Sequence, residues 1–114
     1  MKDKFYVTEL IKKLIDSFDQ YLTNFPHKEI EIKREIMSTS YQMLKIAYEA
    51  NTTFDLNKRV DIQDKIVSYI KYLDYLVNVC YNKHIINSKR YLKFGENLGY
   101  LLKYVIGWRK SSRA

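Results

Sequence analysis

Residues 61–80 read DIQDKIVSYIKYLDYLVNVC, and this stretch decides the fold. Ile62, Ile66, Ile70, Leu73, Val77 and Cys80 recur at intervals of three and four, the period of a helix and not of a strand. The same period continues in both directions. Val7, Leu10, Ile11, Leu14, Ile15, Phe18, Tyr21, Leu22 and Phe25 predict a first helix over about residues 4–24. Asn24-Phe25-Pro26 ends it, because the residue before a proline is driven out of the α region. Pro26 is expected in the first turn of the second helix, where no N–H is needed. Ile32, Ile36, Met37, Met43, Leu44 and Ala47 mark that helix, which stops near Asn51. Thr53 or Asp55 is expected to cap the third helix, and Asn87 or Ser88 the fourth, which runs to about Trp108.

The rest of the chain agrees. Three Gly and one Pro in 114 residues leave too few turns for a sandwich or barrel, which needs one about every 8–12 residues. The length suits one domain, expected over residues 1–110 with a short basic tail at 111–114. All connections are short, so neighbouring helices should run antiparallel. The expected architecture is all-α, an up-down-up-down four-helix bundle. One cysteine, no signal-peptide pattern at the start and no long apolar run point to a cytoplasmic protein with no membrane span.

Charge is the first pointer to function. Residues 1–80 carry twelve acidic and twelve basic side chains, so the net charge of +7 arises entirely from the last segment. There Lys83, Lys89, Arg90, Lys93, Lys103, Arg109, Lys110 and Arg113 face only Glu96. A solvated helix face mixes signs, so this asymmetry points to a polyanionic partner. At about 100° per residue, Tyr91, Phe94, Leu98, Leu101, Leu102 and Val105 share one side of the fourth helix. Lys89, Lys93, Lys103 and Lys110 lie opposite, with Tyr100 among them. Lysines near a helix C-terminus favour its dipole, but Lys89 and Lys93 stand in the first turns, where cations are disfavoured. The expected nucleic-acid contacts are Lys83, Lys89, Arg90, Lys93, Tyr100, Lys103, Arg109 and Lys110.

A second surface is expected on the third helix. Beyond its core stripe it displays Val67, Tyr69, Tyr72, Leu76, Val79 and Tyr81, more apolar surface than a monomeric bundle needs. Gly95, Gly99 and Ile106 form a strip of small or apolar residues on the flank of the fourth helix. Tyr69, Tyr72, Leu76, Gly95, Gly99 and Ile106 are therefore the expected subunit interface.

Catalytic constellations are sparse. Cys80 and His84 stand four apart, as two ligands on one helix face would, but a closed zinc site needs four ligands. Both are expected on the core stripe, as packing residues. No Glu is followed three residues later by His, which excludes the di-iron carboxylate site of some bundles. Glu29, Glu31 and Glu35 alternate with Lys28, Lys33 and Arg34 as a solvated face. No Gly-rich phosphate loop or nucleophile elbow occurs. No enzyme activity, metal or cofactor is expected.

Several stretches together resemble a family. Asn24-Phe25-Pro26, Glu49-Ala50-Asn51, and Ile85-Ile86-Asn87 leading into Lys89-Arg90-Tyr91 are similar to the accessory variability determinant proteins of diversity-generating retroelements. So is the close, Leu98-x-x-Leu101-x-Lys103-x-Val105-x-Gly107-Trp108-x-Lys110-Ser111. These belong to a wider bacterial group of four-helix bundles that includes proteins encoded in 23S ribosomal RNA intervening sequences. The resemblance implies a homopentamer with a basic surface that associates with a reverse transcriptase and its template RNA, supporting mutagenic cDNA synthesis without chemistry of its own. Leu102 and Ile106 stand where the family usually has glycine, and Asp74 and Asn78 where its third helix usually has arginine. The fourth helix is thus the better candidate for nucleic acid. The competing reading is an oligomeric protein–protein adaptor, or a bundle of the ribosomal intervening-sequence type, whose basic stripe meets an acidic protein.

Overall fold

The computed structural model describes residues 2–113, with side chains for residues 5–112. Four helices account for most of it: α1 (Lys2–Tyr21), α2 (Ile30–Asn51), α3 (Leu56–Asn82) and α4 (Ser88–Arg113). A 3-10 turn, His27–Glu29, precedes α2.

The joints show why each helix stops. α1 ends at Tyr21, earlier than its apolar pattern suggests, with Leu22 N–H making one more bond to the Phe18 carbonyl. Pro26 is not inside α2. Its ψ of 146° is extended, and its carbonyl instead accepts from Glu29 N–H at 2.8 Å to form the 3-10 turn. At the end of α2 the hydroxyls of Thr52 and Thr53 fold back onto the Glu49 carbonyl, at 3.1 and 2.7 Å. Asp55, not Thr53, caps α3, its Oδ1 accepting from the N–H groups of Asn57 and Lys58 at 3.0 and 3.2 Å. Thr53 does other work: its carbonyl accepts from Nε and Nη2 of Arg59.

α3 closes in a Schellman motif. Ile85 N–H reaches the Cys80 carbonyl at 2.8 Å and His84 N–H the Tyr81 carbonyl at 3.0 Å. His84 sits in the left-handed position of that motif, with φ 61°. Asn87 then caps α4, its Oδ1 accepting from Arg90 N–H at 2.8 Å.

Each helix packs on two neighbours, α1 on α2 and α4, and α3 on α2 and α4. The molecule measures 45 × 22 × 19 Å, and α3 at 27 residues is about 40 Å long, so the helices lie along the long axis. The core is the expected stripes brought together: Ile11, Phe18, Ile36, Met43, Ile66, Leu73, Phe94 and Leu101 are fully buried. Burying each such side chain contributes about 1.5–3 kcal/mol. Phe18 and Phe94 meet at 4.9 Å between ring centroids, locking α1 to α4.

α4 outruns its expected end. It continues through Arg113, and Ser112, expected in the tail, is 1% exposed and packs into the bundle, while Ser111 is exposed. Trp108, expected near the helix end, is fully buried one turn before it. Among the described residues no helix is long and apolar enough to cross a membrane.

Candidate nucleic-acid interface

The buried face of α4 carries Phe94, Leu98, Leu101, Val105 and Trp108, with Ser112 at its end. Lys89, Lys93, Lys103 and Lys110 are exposed on the far side, spread over about 30 Å of helix. Glu96 shares that side and lies 3.9 Å from Lys93, a loose pair of two exposed groups. Such a contact contributes little and leaves the ammonium free to exchange partners.

Three of the expected contacts are otherwise engaged. Arg109 Nη1 donates to Asp64 Oδ1 at 2.7 Å and ties α4 to α3. Lys83 Nζ donates to Glu29 Oε1 at 3.1 Å, tying the end of α3 to the 3-10 turn. Arg90 is half-buried, its guanidinium 3.3 Å above the centre of the Tyr21 ring. The side chain of Arg113 lies outside the described residues.

Tyr100 belongs to a cluster. Its hydroxyl donates to that of Tyr104 at 3.4 Å and lies 3.1 Å from that of Tyr6, and the three rings meet edge to face. Hydrogen bonding with Tyr104 and Tyr6, then the charges of Lys103 and Lys13, lowers the Tyr100 hydroxyl below its ordinary 10.0. The bond to Tyr100 raises Tyr6. α1 thus contributes Tyr6, Lys13 and Tyr21 to the seam with α4, and sequence reasoning on α4 alone missed all three. Their spacing of seven and eight residues puts them on one face of α1, a signal visible beside its core stripe.

The expected subunit interface divides. Leu76 is 7% exposed and belongs to the core. A helix in a ring of four touches two neighbours, so its buried arc is wider than a single stripe suggests. Tyr69, Val67 and Tyr81 are half-buried for the same reason, Tyr81 stacking on Tyr91 of α4 at 4.3 Å. Tyr72 does remain exposed, donating to Glu35 Oε2 at 2.8 Å. Gly95 and Gly99 line a hollow of about 240 Å³ between α3 and α4, together with Ile70, Leu98 and Leu102. A Cβ at either glycine would meet nothing within 4 Å among the described residues. Ile106 is half-buried on the same flank.

Cys80 and His84 do not share a helix face. His84 lies beyond the end of α3 and is exposed, because the left-handed turn swings it off the core stripe. Cys80 is fully buried, and burial, then the Glu29 carboxylate, pushes its thiol up to about 11. Among the described residues no three His, Cys, Asp or Glu side chains come together to hold an ion.

Comparison with protein families, with curated proteins and with solved structures finds no match to the chain.

Proposed function

We propose that this chain is a non-catalytic, nucleic-acid-binding accessory protein, an antiparallel up-down-up-down bundle that holds phosphates with the outer face of α4. One observation carries the reading: Lys89, Lys93, Lys103 and Lys110 are all exposed on one side of a helix whose other side is buried. Phosphates are positioned by such cations without base readout, and the counterions they release make binding salt-dependent. The antiparallel arrangement is supported by cross-helix pairs. Gln63 with Ser112, Asp64 with Arg109 and Asn78 with Tyr91 descend α4 as they climb α3.

The resemblance to accessory variability determinant proteins supplies the finer proposal. The chain forms a homopentamer in the bacterial cytoplasm and binds the retroelement reverse transcriptase with its template RNA. The test is cDNA synthesis by the reverse transcriptase of the same locus on its template RNA, with and without this chain. Product that depends on the chain supports the proposal; identical product without it contradicts it. The adaptor reading keeps one specific observation, Phe54, 91% exposed in a connection pinned by Arg59 and Asp55. A rigid, projecting aromatic is the kind of group that anchors protein contacts.

A further inference from the structure

We infer that the seam between α1 and α4 is a site for single-stranded nucleic acid, in which an unpaired base stacks against the Tyr21–Arg90 pair; this rests on the nucleic-acid reading above. At one end of the seam lies a hollow of about 430 Å³ lined by Tyr21, Lys89, Arg90, Leu92, Lys93 and Glu96. That volume is in the range of small-ligand sites. Three cations surround it against one carboxylate, so it attracts anions. Its wall holds a flat surface already assembled: the Arg90 guanidinium lies 3.3 Å from the Tyr21 ring centre. Guanidinium planes and aromatic rings are the surfaces on which unpaired bases stack. Here Tyr21 holds the guanidinium in place, so little order is lost on binding.

Lys89 and Lys93 stand at the rim, where a strand entering the hollow would bring its phosphates. Farther along the seam a second hollow of about 190 Å³ is lined by Leu10, Lys13, Leu14, Asn97 and Tyr100. Its Tyr100 lies ten residues, about 15 Å, beyond Arg90 along α4, and it again places a cation, Lys13, in the same wall as a tyrosine. Two recesses on one line, each with a cation beside an aromatic ring, make a track for a flexible strand. A duplex hides its base faces and offers only phosphates, so it engages the outer lysines and leaves the recessed stack unused.

Fluorescence anisotropy with labelled oligouridine and with an RNA duplex of equal length tests this at low salt. Arg90→Lys keeps the charge and loses the plane. It should weaken oligouridine binding about tenfold and change duplex binding less than about twofold. Tyr21→Leu should do the same, and unchanged thermal melting of either variant checks the fold. If both variants bind oligouridine like the wild type while Lys89→Glu/Lys93→Glu loses both ligands, the seam inference is overturned and the phosphate reading survives. If the wild type binds neither ligand, both fall.

Discussion

Nε2 of Gln63 donates a 3.0 Å hydrogen bond to Oγ of Ser112, joining the first turns of α3 to the last turn of α4 inside the core. Ser112 passes the bond on, donating to the Trp108 carbonyl at 3.1 Å. Gln63 Oε1 and Trp108 Nε1 have no partner among the described residues, so this corner of the core is polar and only partly satisfied. Ser112→Ala removes the partner of a buried amide and should cost about 1–3 kcal/mol in urea unfolding. Gln63→Met with Ser112→Ala replaces both partners by apolar groups and should cost less than the single change. A single variant as stable as the wild type would show that the Gln63–Ser112 bond contributes nothing to the fold.

His84 holds a left-handed conformation that favours glycine. His84→Gly should therefore raise stability by about 0.5–1 kcal/mol, measured by thermal or urea unfolding. A loss instead would mean that the imidazole makes a contact worth more than the strain.

Cys80 is both packed and hard to ionise. Its thiol rises from the ordinary 9.0 to about 11 in the folded chain. The unfolded chain ionises first, so this contribution to stability is complete below about pH 9 and is lost as pH rises through about 11. At neutral pH a thiol reagent should react only after denaturation. Cys80→Ala should cost about 1–2 kcal/mol, with any nucleic-acid binding intact. Rapid modification of the native protein would place the thiol at the surface.

Gly95 and Gly99 occupy the interior of α4 although nothing among the described residues crowds their missing side chains. Each glycine costs a helix interior about 1 kcal/mol relative to alanine. Gly95→Ala/Gly99→Ala should therefore stabilise the isolated bundle. If another subunit packs on that flank, Gly95→Leu/Gly99→Leu should lower the light-scattering mass toward 13.8 kDa while the fold persists. Leu76→Glu, aimed at a core residue, should unfold the protein and not merely dissociate it.

The four helices were legible because the periodicity of Val7, Ile11, Leu14 and Phe18, and of its counterparts elsewhere, records burial directly. What failed was information carried by distant partners. Leu76 looked like surplus surface because one helix's pattern does not reveal how many neighbours it has. Arg90, Arg109 and Lys83 looked free because Tyr21, Asp64 and Glu29 are far away in sequence. Ser112 resembled part of a tail because a buried serine is read as polar until Gln63 is placed beside it. The outer lysines were legible for the opposite reason, since an amphipathic helix fixes its exposed face locally.

Salt dependence tests the central claim most directly. RNA affinity of the wild type and of Lys89→Glu/Lys93→Glu should be measured by anisotropy from about 0.05 to 0.2 M salt. Wild-type affinity should fall steeply, with a log–log slope of about −0.7 per phosphate neutralised on a single strand. The double variant should bind more weakly at every salt concentration, with a flatter slope by about the equivalent of two phosphates and an unchanged melting temperature. Identical affinity and slope in the two proteins would contradict the account and leave α4 with an ordinary solvated face.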